Sequence, residues 1–497
     1  MIINFFKMKW DMRNYKRFFW IVIFVLFGSN IMAQQEHKIE VQVKGVSDTT
    51  MLLGHHFGKK KYVVDTVMAD ENGRAVFEGD EPLDRGIYIV VLPSENNAYF
   101  EMLIGDDQKF SLTTDKEDFV NNMKIKGSKA NKVFNEYQRK MSELQNKIKQ
   151  YRSELESAED DSVEKQKIKD KMGEVTEERK AYIKEMAEEH EGTLFGSIVK
   201  AVLEPEIPEP PKDEEGNIVD STFEYRYLRD HYFDNIDFSE PGLLRTPILE
   251  SKIDYFFKKM MPPVADSVRP VAHDLIERAQ EANEEMFRYM TSHLLNHFET
   301  SKVMGMDEVF IDIAEKWYLS GEAEWADSTL IEKIRERVLK ITPNIIGKVA
   351  SDIAKVPTFN DQFASLHKVD ADYTILVFYE PNCGHCKKIV PRLYELYQDT
   401  LQDANVEVFA MYTQADKEEW TEFLEKHELF DWINAYDPYG RTNFRDNYDI
   451  YSTPVIYILD DEKRIVAKRI DIEYVPEFIK YDKKRKKKEA EKNSGDE

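Results

Sequence analysis

Both cysteines of this 497-residue chain lie in one four-residue motif, Cys383-Gly-His-Cys386. The motif follows an apolar run, 375–379, with the length and composition of a strand buried on both faces. It precedes a helical pattern in which apolar residues from Ile389 to Tyr397 share one side. A cysteine at the start of a helix is favoured as a thiolate by the helix dipole, and a second cysteine one turn later is placed to pair with it. The motif therefore indicates a dithiol redox centre.

Two other interpretations of the cysteine pair are a structural disulfide and half of a metal site. A disulfide that closes so short a loop removes little chain entropy, so it would be an inefficient stabiliser. A zinc site requires four ligands, and the chain contains no second cysteine pair. Redox chemistry is therefore favoured, and no metal is predicted. His293 and His297 have a spacing that suits a metal, but no carboxylate completes an H-E-x-x-H pattern, so a packing or surface role is predicted for them.

The region around the motif resembles the thioredoxin superfamily, and in particular its envelope branch typified by TlpA and ResA. Pro391 stands where thioredoxins carry the proline that kinks the active-site helix. Thr453-Pro454, just before an apolar run, matches the loop whose cis-proline faces the disulfide. Residues 344–352 resemble the segment with which the TlpA group begins this domain. The resemblance covers about 345–481 and implies an α/β thioredoxin-like fold there.

The resemblance also implies the roles of five residues. Cys383 is expected to attack a substrate disulfide, and Cys386 to resolve the mixed disulfide that results. Pro454 is expected to be cis and to shape the substrate groove, with the Thr453 backbone pairing with the substrate chain. His385 lies within the motif as in C-G-H-C disulfide isomerases, where it should favour the thiolate of the first cysteine. The resemblance implies no cofactor.

The motif departs from its relatives at three neighbouring positions. Val377 replaces the buried acid of thioredoxins, Ile389 the glutamate of many ResA-like proteins, and Asn382 the usual tryptophan. The group that deprotonates Cys386 is therefore left open, with Glu380 as the nearest carboxylate in sequence.

Residues 1–33 have the pattern of a secretory signal peptide. A cluster of Lys and Arg precedes a ten-residue apolar core, 18–27, which is short for a membrane span. Met32-Ala33-Gln34 resembles a cleavage site, and an uncleaved membrane anchor is the alternative. The predicted location is the periplasm or cell envelope, where disulfides persist.

The patterning of the remaining chain predicts three domains. Short alternating strands favour a β-sandwich, and two heptad seams between 128 and 190 favour an antiparallel helical hairpin within an all-α middle domain. The predicted boundaries are 34–115 for the β-sandwich, 116–344 for the helical domain, 345–482 for the thioredoxin-like domain and 483–497 for a basic, polar, disordered tail.

The overall prediction is an exported thiol-disulfide oxidoreductase that acts on disulfide-containing envelope proteins. A reductase fed by a membrane electron donor is favoured. The alternatives are a disulfide oxidase or isomerase, and a non-enzymatic envelope assembly protein whose cysteines are structural. A net charge of −25 argues against nucleic-acid binding, and a homodimer is left open.

Overall fold

The computed structural model of the chain describes residues 36–158 and 162–493. The chain divides into two compact units between Lys252 and Ile253, inside the stretch predicted as one helical domain. The predicted signal peptide, 1–33, lies outside the described residues. Within those residues, no helix is long and apolar enough to cross a membrane.

The first unit begins with eight strands in two four-stranded sheets. The strands are β1 (His37–Lys44), β2 (Thr50–Phe57), β3 (Lys60–Met68), β4 (Arg74–Gly79), β5 (Gly86–Leu92), β6 (Ala98–Ile104), β7 (Lys109–Asp115) and β8 (Lys124–Lys126). Their orders are β4-β1-β7-β8 and β3-β2-β5-β6. Ile39, Val41 and Val43 of β1 alternate with more exposed residues and pack in the same core as Leu53 and Val90 of the second sheet. The predicted β-sandwich is thus confirmed.

Five helices follow in this part of the chain. They are α1 (Lys129–Ser157), α2 (Ser162–Glu189), α3 (Leu194–Val202), α4 (Phe223–His231) and α5 (Ile248–Tyr255). The first of them is capped by Ser128, whose side chain accepts a hydrogen bond from the Asn131 N–H. Tyr137 stacks on Tyr182 at 6.1 Å between ring centroids. Later in α1, Lys140 pairs with Glu178, which precedes Tyr182 in α2, at 2.6 Å. Residues further along α1 therefore contact residues nearer the start of α2, so the two helices run in opposite directions. This confirms the predicted antiparallel hairpin.

Helix α5 crosses into the second unit and continues there through a π-helical turn, Phe256–Met260. Four more helices follow it. They are α6 (Ala265–Ala282), α7 (Glu284–Glu299), α8 (Met306–Ile313) and α9 (Ser328–Ile341). The apolar sides of these helices face each other, since Leu275, Met290, Leu294 and Phe310 are all buried.

The C-terminal part of the second unit is an α/β domain around a five-stranded mixed sheet. A short hairpin, β9 (Val356–Pro357) and β10 (Phe363–Ala364), precedes β11 (Tyr373–Tyr379), β12 (Val406–Tyr412), β13 (Ile433–Tyr436), β14 (Val455–Asp460) and β15 (Ile465–Lys468). The helices are α10 (Cys386–Leu396), α11 (Lys417–His427), α12 (Phe444–Asn447) and α13 (Val475–Asn493). The sheet order is β13-β12-β11-β14-β15, with β11 parallel to β12 and antiparallel to β14. This arrangement confirms the thioredoxin-like fold.

Strand β11 is at the centre of this sheet, and all seven of its residues are buried. One face packs with Val390 and Leu393 of α10, while the other packs with Phe444 and Tyr448. An entirely apolar run fits this position because both faces of the strand are covered. The strand ends at Tyr379, and the cysteine motif begins four residues later in the chain.

The stretch predicted as a disordered tail from 483 onward is instead the second half of α13, as far as Asn493. Lys483 Nζ lies 2.8 Å from a carboxylate oxygen of Asp372, and Lys486 Nζ lies 2.8 Å from one of Asp460. The sequence analysis found no partner for these cations and therefore predicted a disordered tail. The physical reason for the difference is that acidic groups of the α/β domain pair with them.

The α/β domain is joined to the preceding helices by a buried cation. Lys468, at the end of β15, is 6 % exposed. Its ammonium donates a hydrogen bond to the Asn344 carbonyl at 2.6 Å and pairs with the Asp307 carboxylate of α8. Burial lowers the pKa of Lys468, and Asp307 opposes that shift. The helices that follow Ile253 are thus bonded to the α/β domain within the second unit.

We predict that Asp307→Asn lowers the free energy of unfolding of the second unit by about 3 kcal/mol, because it leaves a buried ammonium without its carboxylate. Tryptophan fluorescence in urea measures this, since all four tryptophans beyond residue 33 lie in this unit (Trp317, Trp325, Trp420 and Trp432). The matched control is Glu462→Gln, which removes an exposed partner of Arg464 and should cost about 0–1 kcal/mol. Equal effects of the two substitutions would contradict the buried link.

Candidate active site

The cysteine motif occupies the connection between β11 and α10. The Cys383 N–H donates to the Glu380 carbonyl at 3.1 Å, which turns the chain after the strand. Helix α10 begins at Cys386, and His385 is its N-cap residue. The Lys387 N–H donates to the Cys383 carbonyl at 3.1 Å, so the first cysteine lies just ahead of the helix. The second cysteine is in the first turn, with its N–H directed back towards the first.

The sulfur of Cys383 lies between the start of α10 and the loop before β14. It accepts a hydrogen bond from the Cys386 N–H at 3.3 Å, and its thiol donates to the Thr453 carbonyl at 3.1 Å. The residue is partly exposed. Partial burial by itself raises the pKa of Cys383, but the thiol and backbone N–H of Cys386, the Thr453 hydroxyl and the His385 N–H outweigh it. The net pKa is lowered, so this cysteine has the properties of a nucleophile.

Cys386 has the opposite environment. Its side chain is fully buried and packs in the same core as Val390 and Tyr379. Burial raises the pKa of Cys386 to about 12, although a backbone hydrogen bond from Glu380 partly opposes this. At neutral pH it is therefore a thiol that donates a hydrogen bond to Cys383. One cysteine is available as a thiolate and the other is held protonated behind it.

The structure brings together four of the five predicted site residues, and the fifth, His385, lies at the edge of this group. Cys383, Cys386 and Thr453 are in contact, and the Thr453–Pro454 peptide bond is cis, which confirms that expectation. His385 is exposed, and its contribution to the pKa of Cys383 comes through its backbone N–H. The expectation that His385 favours the Cys383 thiolate stays a prediction.

The carboxylate of Glu380 has other partners than the cysteines. It accepts hydrogen bonds from the Thr413 hydroxyl at 2.8 Å and from the Gln414 amide at 2.9 Å, and Arg445 lies 3.6 Å from it. The backbone of Glu380, rather than its side chain, is what contacts the motif.

A brace from helix α9 supports the loop that leads to the cis-proline. Arg337 donates to the Asp449 carboxylate at 2.6 Å and to Glu299 at 3.1 Å. The guanidinium also lies over the ring of Tyr451, 5.2 Å from its centroid, and Tyr451 is two residues before Thr453. Sequence reasoning missed this brace, because nothing in the local pattern of either segment relates residues 112 positions apart.

Three family models match the chain. Residues 370–466 match the family described as Thioredoxin-like. Residues 37–134 and 161–344 match two families described as Domain of unknown function, DUF4369 and DUF5106. The first match agrees with the strand order, the strand-to-helix cysteine pair and the cis-proline. The chain therefore belongs, through its C-terminal domain, to the thioredoxin superfamily.

Several solved structures are similar to parts of the chain. A domain of a "possible thiol-disulfide isomerase" from Cytophaga hutchinsonii is 35% identical, with 29% of this chain and 98% of that chain covered and a TM-score of 0.28. A thioredoxin-like protein from Bacteroides caccae is 20% identical, with 56% of this chain and 98% of that chain covered and a TM-score of 0.47. The thioredoxin domain of a thiol-disulfide oxidoreductase from Bacteroides vulgatus is 22% identical, with 27% of this chain and 96% of that chain covered and a TM-score of 0.26. No curated protein sequence matches significantly.

The pH profile of Cys383 alkylation tests the role of the His385 backbone. Since the thiolate is the reactive form, a lowered pKa moves the profile of wild-type Cys383 below the midpoint of an ordinary cysteine, about 8.5. His385→Pro removes the N–H at a position whose φ of −75° suits proline, and should raise the midpoint by about one unit. His385→Gln keeps the N–H and should leave the midpoint unchanged.

The measurement is iodoacetamide labelling against pH, with the Cys383 peptide quantified by mass spectrometry. An equal shift in His385→Gln and His385→Pro would show that the imidazole, and not the N–H, sets the pKa.

Proposed function

We propose that this chain is an exported thiol-disulfide oxidoreductase that reduces disulfides in proteins of the cell envelope. The observation that supports this is the difference between its two cysteines. Cys383 is partly exposed with a lowered pKa, and Cys386 is buried behind it with a pKa raised to about 12. An inert structural pair has no need of this difference, whereas a dithiol that attacks and then resolves depends on it.

The reaction follows from these two positions. The Cys383 thiolate attacks one sulfur of the client disulfide, and the bond between the client sulfurs breaks as a mixed disulfide forms. The first client sulfur leaves as a thiolate and takes a proton. Cys386 then loses its proton and attacks the Cys383 sulfur, which releases the second client thiolate. Two electrons pass to the client, and the chain ends with a Cys383–Cys386 disulfide.

The Cys386 N–H and the Thr453 backbone have separate parts in this scheme. The N–H, 3.3 Å from the Cys383 sulfur, stabilises the attacking thiolate. The Thr453 carbonyl accepts the Cys383 thiol hydrogen at 3.1 Å in the free protein. The loop that carries this carbonyl therefore lies where a client chain has to bind in order to present its sulfur to Cys383. Thr453 and Pro454 are proposed as the substrate-binding residues on this basis.

Export and the direction of electron flow depend on the sequence and the resemblance. The basic and apolar pattern of residues 1–33 supports passage across the inner membrane into the periplasm. In that compartment the oxidised dithiol has to be reduced again for each turnover, so a membrane electron donor is proposed as the second partner. The reductase direction rests on the similarity to the TlpA and ResA branch.

The raised pKa of Cys386 favours a second candidate function, disulfide isomerisation. A resolving thiol with a pKa of about 12 is a thiolate only rarely at neutral pH, so resolution is slow unless a base assists. A long-lived mixed disulfide gives the client time to rearrange its own cysteines, which is what an isomerase requires.

The two cysteine variants test the proposed roles. Cys386→Ser should attack clients without resolving, and should accumulate mixed disulfides when it is expressed with its signal segment. Cys383→Ser should accumulate none, because the remaining thiol is buried and protonated. Non-reducing gels and mass spectrometry of the adducts measure this and identify the clients. Adducts on Cys383→Ser alone would reverse the two roles, and adducts on neither variant would contradict the enzyme.

The direction of the reaction is tested by redox titration in glutathione buffers. A reductase should have a reduction potential well below that of protein disulfide isomerase, about −180 mV, and should reduce insulin faster than it reactivates scrambled ribonuclease. A potential near or above that value, with the order of the two activities reversed, would favour the isomerase. Failure to form any reversible disulfide would favour the non-enzymatic assembly protein.

A further inference from the structure

A histidine pair and a carboxylate from two helices of the second unit meet at one point, away from the cysteine motif in the sequence. His293 and His297 are four residues apart on α7, and Asp254 is on α5. The distance from His293 Nε2 to Asp254 Oδ1 is 3.8 Å, and that from His297 Nδ1 to the same oxygen is 3.5 Å. One ligand atom from each of the three residues lies within 4.8 Å of the others. Among the residues that the structure describes, no other such group is found.

These three side chains are largely shielded from solvent and held in place by their neighbours. They are 14–16 % exposed. Tyr289 stacks on the His293 ring at 5.5 Å with an interplanar angle of 7°. Phe257 packs against the His297 ring at 5.8 Å. The rings are therefore oriented by aromatic packing and not only by their contacts with the carboxylate.

The second oxygen of the carboxylate is also bound. Lys258, one turn further along, lies with Nζ 3.2 Å from Asp254 Oδ2. This leaves Oδ1 as the oxygen directed at both imidazoles. A hydrogen-bonded outer partner of this kind fixes the orientation of a ligating carboxylate in metal sites. Lys258 also brings a positive charge near the cluster, which lowers the affinity for a cation without blocking the coordinating atoms.

Two imidazole nitrogens and one carboxylate oxygen are a ligand set of Zn²⁺ and its neighbours in the first transition series. Ligands about 2.0–2.2 Å from a tetrahedral zinc ion are roughly 3.3–3.5 Å apart. The two carboxylate–imidazole distances, 3.5 and 3.8 Å, thus require a contraction of a few tenths of an ångström. The two imidazole nitrogens, which lie within 4.8 Å of each other, require a contraction of about 1.5 Å or less.

We propose that Asp254, His293 and His297 form a binding site for one divalent transition-metal ion, with Zn²⁺ as the reference ligand. Three protein ligands leave at least one coordination position for water or an external group. Mg²⁺ and Ca²⁺ do not fit, because both prefer sites made of oxygen ligands. The bound ion would link α5 to α7, so it would stabilise the helical part of the second unit. The site goes beyond the proposed redox function, since no step of disulfide exchange uses it.

Zinc binding to the mature, untagged protein tests this proposal. The dithiol is first oxidised, so that thiolates do not compete for the metal, and the protein is stripped with a chelator. Isothermal titration with Zn²⁺ should show one ion per chain. Asp254→Asn and His297→Gln should each weaken binding at least tenfold, as loss of a ligand removes more than the 10–100-fold typical of outer partners. Mg²⁺ should give no heat of binding.

A matched control uses another close histidine–aspartate pair among the described residues. His231 Nδ1 lies 2.6 Å from Asp234, but this pair has only one imidazole. His231→Gln should bind Zn²⁺ as the wild type does. Absence of stoichiometric binding would overturn the proposal. So would binding that survives both substitutions in the triad, or binding that His231→Gln weakens equally.

A second measurement needs no variant and so does not depend on folding of the substituted proteins. Diethyl pyrocarbonate modifies accessible histidines, and mass spectrometry of peptides reports each of them. Zn²⁺ should reduce the modification of His293 and His297 and leave His231 and His427 unchanged. Equal protection of all four, or none at the triad, would contradict the site. Unchanged disulfide exchange in Asp254→Asn would show that the metal site is separate from the redox centre.

Discussion

The hydrogen bond from the Cys386 N–H to the Cys383 sulfur, 3.3 Å long, is the contact on which the proposed chemistry depends. It exists because a fully buried strand ends at Tyr379 and a helix begins seven residues later. The strand fixes where the loop starts, and the first turn of the helix directs its N–H groups at the loop. Charge on the first sulfur is thus stabilised by groups that are already in place, which need no rearrangement when the thiolate forms.

In the proposed mechanism, the same geometry keeps the second sulfur unreactive until the first has reacted. Cys386 is in the core of the domain, where charge is disfavoured and a thiol is not. In the free protein it donates a hydrogen bond to Cys383, and in the mixed disulfide that acceptor charge is gone. Loss of this bond removes one of the interactions that hold the proton on Cys386. In this proposal, attack by the first cysteine therefore itself lowers the barrier to deprotonation of the second.

Much of the site could be predicted from the sequence because it is local. The strand, the cysteine pair, the helix and the proline loop each leave a pattern in a short stretch, and the superfamily resemblance relates them. What could not be predicted depends on partners far away in the chain. Asp254 lies 39 positions before His293 on another helix, so the search for a nearby carboxylate failed to find it. The basic run of α13 looked like a tail for the same reason, since its acidic partner Asp372 is distant in sequence.

Long-range contacts also connect helices α8 and α9 to the α/β domain that carries the cysteine motif. Arg337 of α9 holds Asp449 and covers Tyr451, and Lys468 of β15 is bonded to Asn344 and Asp307. The first contact reaches the segment just before Thr453, and the second reaches β15, which pairs with the strand that follows Thr453. The loop opposite Cys383 is therefore positioned partly by side chains outside the thioredoxin-like domain. A change in the packing of these helices therefore has a physical route to the loop through α9 and β15.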